Sequence, residues 1–325
     1  MKKLHVWEAR LLRVFSMLPL SIVVGLATLL ARLFVCFPLS VATPHRSALI
    51  NTLICFPEKD WAAARRFARQ SVIETARTLA GYSHVWLRPP EETLARVKKV
   101  HGMEAWQEAI RSDRPVLYLS LHQSSWEVPV LLVGRHDPGA LIMYQPVEGS
   151  ALEDLVKDGR EATGCTLIPT NGEGVRAALI GLEKGKSMAL LADHEPGGRT
   201  NPFVPFFGQD VMVPSFIYKV IKRFQPHVFF ISAQRSDDYR YEIWLDQADP
   251  AMLAMSEHDT LRAMTAGFET IIRRNPVQYQ WTYKRFRRGV RGARGWYKPA
   301  ALKRLQAGES PASVFVEPQP VATDD

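Results

Sequence analysis

A chain of 325 residues, 46% of them apolar, has the material for one large core or two small ones, and no Gly/Ser- or Pro-rich linker divides its middle. Lysine and arginine outnumber aspartate and glutamate by 41 to 33, a net charge of +8, which favours an anionic partner: lipid headgroups, an acidic carrier protein or nucleic acid. Cys36, Cys55 and Cys165 are widely spaced, without a C-x-x-C pair, so neither a disulfide framework nor a cysteine zinc site is indicated, and a reducing compartment fits.

From Val14 to Ala31 the chain carries no charge. As a helix this stretch would reach roughly 27 Å at ~1.5 Å per residue, close to a ~30 Å hydrocarbon core. Ser16, Pro19, Ser21, Gly25 and Thr28 dilute it, and basic residues flank both ends: Lys2, Lys3, Arg10 and Arg13 before it, Arg32 after it. A single span would send one basic flank outward, against the positive-inside tendency. The expectation for residues 1–38 is therefore a membrane-associated helix or helical hairpin dipping into the cytoplasmic leaflet, with a transmembrane anchor as the alternative. A cleaved signal peptide ending near Ser40-Val41-Ala42 is disfavoured by Arg32 and by the apolar run continuing to Phe37.

Lys59 to Tyr82 reads as an amphipathic helix, with Trp61, Phe67, Val72, Ile73 and Leu79 among charged and small residues. Beyond it, short β-branched or apolar runs alternate with helical patterns. Strands are expected at 116–121, 140–144, 166–168, 187–192, 228–232 and 241–245, and helices near 126–133, 150–163, 173–184, 214–223 and 259–274. This alternation predicts an α/β domain over residues 39–305, a mixed, mostly parallel sheet flanked by helices, with an antiparallel pair within 228–245. Lys284 to Lys303 is basic with interleaved Phe286, Trp296 and Tyr297; it reads as a contact with an anionic membrane surface or lipid phosphate, or as solvated surface. Residues 306–325 hold acids and prolines but no bases and read as a disordered tail. No zinc spacing, helix-turn-helix signature or RNA-binding aromatic motif accompanies the charge, so nucleic acid is not an expected partner.

Chemistry enters at His122-Gln123-Ser124-Ser125-Trp126-Glu127. The histidine stands where a buried strand ends, and active-site groups in open α/β sheets gather at the carboxyl ends of strands. Five residues of regular helix turn by about 500°, which leaves His122 and Glu127 roughly 140° apart. They meet only if His122 lies on the strand-to-helix turn and Glu127 in the first helical turn. There, an acid can accept one imidazole N–H while the other nitrogen takes a proton from an alcohol. A strand-capping histidine followed by a solvated glutamate would give the same pattern.

A second cluster, Asp193-His194-Glu195-Pro196-Gly197-Gly198, also follows a buried strand directly. Parallel strands would bring it to the same sheet edge as His122; an ordinary acidic turn is the alternative. Imidazole and carboxylates also suit a divalent ion, so a metal reading with His122, Asp193, His194 and Glu195 as ligands is chemically permitted, although nothing in the spacing fixes its geometry. Between the clusters, Arg160 lies in a helical pattern, where a guanidinium could bind phosphate or steady an oxyanion, or simply solubilise the surface.

Taken in order, HQSSWE, Tyr144-Gln145-Pro146, Gly159-Arg160, Asp193-His194-Glu195-Pro196-Gly197, Phe203 to Gly208 and Pro276 to Trp281 followed by Lys284-Arg285-Phe286 resemble the bacterial lipid A late acyltransferases of the lauroyl and myristoyl type. These belong to the lysophospholipid and glycerolipid acyltransferase superfamily with its His-x4-Asp/Glu motif, and the resemblance covers nearly the whole chain. It implies that His122 is the general base and Glu127 its partner. It further implies that Arg160 and Asp193, with His194 and Glu195 beside them, are active-site residues, and that the loop bearing Phe206, Phe207 and Gly208 borders the cleft. The donor it suggests is an acyl carrier protein or coenzyme A thioester, the acceptor a lipid hydroxyl, and the place the cytoplasmic face of the inner membrane, with no cofactor or metal required. Gln123-Ser124-Ser125 are less apolar than the family usually has between the two catalytic residues. Ala162 stands where a second arginine is common, and Gln209 to Pro214 replace a Thr-rich stretch. These departures leave the acceptor open between a lipid A precursor and another glycolipid or phospholipid, and a membrane-bound metal-dependent hydrolase would use the same His and acids.

Overall fold

The computed structural model describes residues 2–38, 43–146, 151–198 and 200–316. The chain forms two compact units, each gathered from three stretches: Met1–Ala27, Arg77–Asp193 and Phe216–Met255 in the first, Thr28–Ala76, His194–Ser215 and Ser256–Asp325 in the second. Ser40-Val41-Ala42, the site considered for signal cleavage, lies outside the described residues.

The first unit is built on a seven-stranded sheet. Its strands are β1 (Val97–His101), β2 (Val116–Ser120), β3 (Leu141–Tyr144), β4 (Thr166–Pro169), β5 (Met188–Leu191), β8 (His227–Arg235) and β9 (Tyr241–Gln247), in the order β1-β9-β8-β2-β5-β3-β4. Only β8 and β9 run antiparallel; every other neighbouring pair is parallel. The α/β alternation and the antiparallel pair expected from the sequence are thus both present. β2 lies between two neighbours and is buried at all five residues, which is why it reads as a continuous Val-Leu-Tyr-Leu-Ser run rather than an alternating one. Inside, the Trp106 indole donates to the Tyr118 hydroxyl at 2.8 Å, and that hydroxyl donates to Asp137 at 2.8 Å, so the polar tips of two buried aromatics are matched. The helices α5 (Pro90–Leu94), α6 (Met103–Ile110), α7 (Glu127–His136), α8 (Ala151–Glu161), α9 (Gly172–Glu183) and α10 (Phe216–Phe224) complete this unit.

At the N-terminus, α1 (Lys2–Met17) and α2 (Leu20–Phe34) divide the uncharged stretch between them. The break falls at Leu18-Pro19, because proline has no N–H for the preceding turn. The carbonyls freed there are taken at the C-terminal end of α4 (Trp61–Leu87): Leu18 O lies 2.9 Å from His84 Nε2, and Ser16 O accepts at 3.1 Å from Arg88, the residue just after the helix. No helix among the described residues is long and apolar enough to cross a membrane. The transmembrane alternative therefore has no helix to carry it, and the reason is Pro19: α2 alone is 15 residues, or roughly 22 Å.

In the second unit α3 (Thr43–Cys55) is buried from His45 onward on every side, so it shows no amphipathic period. Asn51 on α3 donates to the carbonyls of Trp281 and Tyr283, both at 2.7 Å, and its Oδ1 accepts from the Tyr297 hydroxyl. The hairpin of β6 (Phe203–Phe206) and β7 (Gln209–Met212) packs on α11 (Glu257–Arg274), where Thr265 donates to Pro205 O at 2.8 Å. Phe56, Phe67, Phe207 and Trp281 form an aromatic cluster with ring centroids 5.3 to 6.2 Å apart. α12 (Pro299–Gln306) follows the basic stretch. Part of the tail expected to be disordered is ordered: α13 (Pro311–Val314) is one turn capped by Ser310, and Trp296 Nε1 donates to Val316 O at 3.2 Å.

Candidate active site

The parallel register of β2 and β5 assembles the first cluster. Ser120 is the Cα partner of Leu191, so the residues two further along each strand, His122 and Asp193, leave the sheet side by side. The main chain carries this pairing one step past the strand, where Ala192 N donates to Ser120 O at 3.0 Å. Asp193 then holds the histidine at two points. One carboxylate oxygen accepts from the His122 backbone N–H at 3.0 Å, and the other lies 2.9 Å from the ring Nδ1. The aspartate side chain is 1% exposed and the imidazole 17%. The Trp126 indole meets that ring edge-on, centroids 5.0 Å apart, and packs in turn on Tyr82.

Glu127 is the first residue of α7, as the proposed strand-to-helix turn requires, yet its carboxylate does not hold the imidazole. Both of its oxygens are taken by Arg160: Nε donates at 2.7 Å and Nη2 at 2.5 Å. The expected direct His122–Glu127 pairing is thus replaced by two pairs, His122–Asp193 and Glu127–Arg160. The physical reason is the fit of a planar guanidinium fork to a carboxylate, together with a second carboxylate delivered to the ring by strand register. Helix ends favour the ion pair as well, since Glu127 opens α7 and Arg160 lies in the last turn of α8. Burial alone would lower the Arg160 pKa; the Glu127 charge and its hydrogen bonds outweigh it and hold the guanidinium above its ordinary value.

Between the two pairs the chain turns through Ser124, fully buried at φ 51°, a left-handed conformation that L-residues rarely adopt. Backbone strain of this kind persists where surrounding structure over-determines it. Gly159 sets how closely α8 approaches α4: a Cβ there would lie 2.6 Å from both the Cα and the carbonyl oxygen of Trp86. Because those are backbone atoms, Gly159→Ala is expected to cost about 1–3 kcal/mol and to lower the thermal midpoint in a melt followed by circular dichroism. This contact is not anticipated from the sequence, where a lone glycine inside a helical pattern is its only local signal.

The remaining predicted site residues belong to the second unit. His194 stacks on Tyr283 with centroids 3.7 Å apart, and Glu195 N–H donates to the Tyr283 hydroxyl at 3.1 Å. The Glu195 carboxylate, 1% exposed, accepts from Arg287 at 3.0 Å and from Arg288. Phe207 and Gly208 form the two-residue loop of the β6–β7 hairpin at φ 49° and 74°, the positive pair that a type I′ turn needs and that Gly208 makes easy. Phe206 and Phe207 are buried; Phe207 N–H donates to Glu269 at 2.6 Å, and Arg273 lies over its ring at 4.8 Å.

Residues 3–288 match the family described as bacterial lipid A biosynthesis acyltransferase. Among characterised proteins the chain is similar to the lipid A biosynthesis lauroyltransferase of Escherichia coli K12, 23% identical over 210 residues, 64% of this chain and 68% of the relative. It is also similar to the lipid A biosynthesis palmitoleoyltransferase of Escherichia coli K12 and to a lipid A biosynthesis acyltransferase of Shigella flexneri, each 24% identical over 234 residues, 71% of this chain and 72% of the relative. With the family match running over nearly the whole chain, this protein is an acyltransferase and belongs to the bacterial lipid A biosynthesis acyltransferase family.

Proposed function

We propose that the protein transfers a fatty acyl group from an acyl carrier protein or coenzyme A thioester to a hydroxyl of a lipid A precursor, at the cytoplasmic face of the inner membrane. The observation that carries the mechanism is the Asp193 carboxylate on both the backbone and the ring Nδ1 of His122. An Nδ1–H donated to Asp193 fixes the tautomer in which Nε2 is the basic nitrogen. His122 then removes the acceptor's hydroxyl proton as its oxygen attacks the thioester carbonyl. Collapse of the tetrahedral oxyanion expels the thiolate, which takes the proton back from the imidazolium. Glu127 positions Arg160, whose Nη1 donors lie outside the fork with Glu127 and suit the oxyanion or a substrate phosphate. Membrane association rests on the exposed apolar side chains of α1 and the start of α2 in the first unit, among them Val14, Met17, Ile22 and Leu26, which would enter one leaflet rather than span the bilayer.

The test is a mass-spectrometric comparison of total lipids from cells carrying the intact gene and cells carrying His122→Ala. A lipid A species short of one acyl chain is the expected result. Unchanged lipid A with another lipid lacking an acyl group would move the acceptor and keep the chemistry, whereas no change in any lipid would refute the reading.

A further inference from the structure

Helix α3 and the N-terminal part of α4, both in the second unit, carry buried basic nitrogens that have no hydrogen-bond partner among the described residues. His45, in the first turn of α3, is 1% exposed, and neither of its ring nitrogens has a hydrogen-bond partner among the described residues. Arg65 and Arg69 are four residues apart, on one face of α4. The Nε of each is buried and also unmatched, and neither guanidinium has a carboxylate partner among the described residues. Both side chains keep some exposure, which gives the cluster a route to solvent.

These groups act on one another. Burial first, then the charges of Arg69 and Arg65, push the His45 pKa down to about 4. A neutral, buried imidazole therefore sits where the charges of both arginines act on it, with its own N–H, its own lone pair and two guanidinium N–H groups unsatisfied. Each buried donor or acceptor left in this state costs about 1–3 kcal/mol, and no side chain among the described residues relieves it. A hydrogen phosphate would: its bare oxygens accept from the three donors, its P–OH donates to the imidazole lone pair, and its negative charge offsets the two guanidinium charges.

We propose that His45, Arg65 and Arg69 form a phosphate-binding subsite, separate in sequence from the His122 motif. This rests on the acyl-transfer reading only for the origin of the phosphate. That group is either a phosphate of the lipid acceptor or the phosphate of the pantetheine arm on the thioester donor; the recognition chemistry is the same.

The deciding experiment titrates the full-length protein, labelled with 15N-histidine, with inorganic phosphate, and follows the His45 ring signals, identified by their loss in His45→Gln. Saturable movement is expected in the wild type. The Arg65→Gln/Arg69→Gln variant should bind phosphate roughly tenfold or more weakly, and the Arg65→Lys/Arg69→Lys variant should recover part of that loss, which a mere folding defect would not. In steady-state assays the Gln variant should raise the KM for one substrate by a similar factor with kcat nearly unchanged. A higher KM for the acceptor assigns the subsite to the lipid phosphate, and a higher KM for the donor assigns it to the pantetheine phosphate. His45 signals that ignore phosphate, equal affinity in the Gln variant, or unchanged KM for both substrates would overturn the proposal. The phosphate titration needs no turnover, so it decides the subsite even if the lipid comparison with His122→Ala fails.

Discussion

Asp193→Asn is expected to lower kcat by roughly a thousand- to ten-thousand-fold, the scale seen when the acid that orients a catalytic histidine becomes an amide. Asp193 accepts twice, once from the His122 backbone N–H and once from the ring. Asparagine has a single acceptor oxygen. If that oxygen stays on the backbone N–H, the side-chain NH2 faces Nδ1 as a donor and forces the imidazole into the other tautomer, with the proton on Nε2, where the base should be. His122→Ala removes the proposed base outright and should cost about as much. The double variant should be little worse than either single one, because residues acting as a unit are not additive. The measurement is kcat of the three purified variants at saturating donor and acceptor, with circular dichroism to show intact folding. An Asp193→Asn enzyme within tenfold of the wild type would mean that the aspartate does not set the tautomer.

Glu127→Ala is expected to destabilise the first unit by about 3–5 kcal/mol, because it strands a largely buried guanidinium without its counter-charge. The Arg160 side chain is 16% exposed and its partner 2%, so solvent screens the pair little. Replacing both members, Glu127→Leu with Arg160→Met, should recover most of that loss while leaving the enzyme inactive, since an apolar pair of similar volume carries no uncompensated charge. Urea unfolding of the single and double variants separates the two effects. Equal instability of single and double variants would show that packing, and not the stranded charge, dominates. The comparison thus separates the stability effect of the ion pair from the catalytic role proposed for the same two side chains.

Much of the sheet is legible in the sequence because its strands are buried on both faces and read as unbroken apolar runs, such as Val116 to Ser120 and Val228 to Ser232. β1 escapes that reading: it is an edge strand, and Lys98 and Lys99 point to water. α3 escapes it for the opposite reason, since burial all round leaves no polar face to set a period. The placement of His122 after a strand and of Glu127 at a helix start could be derived from the spacing. What spacing cannot give is strand order. β5 follows β3 and β4 in the chain yet inserts between β2 and β3, and only that insertion puts Asp193 beside His122. The exchange of partners among His122, Glu127, Arg160 and Asp193 is therefore a fact of topology, invisible to local pattern.

Because the His122–Asp193 contact is inherited from the β2–β5 ladder, its alignment is digital. Side-chain replacements inside the sheet can loosen packing without changing which residues stand opposite each other. Losing or gaining one residue in either strand shifts the alignment by a whole step, and each step turns alternate side chains to the other face of the sheet. Gradual drift in the length of these two strands is closed to this enzyme. In this chain the pairing therefore rests on the distance from Val116 to His122 and from Met188 to Asp193, while the connections outside them leave the register unchanged.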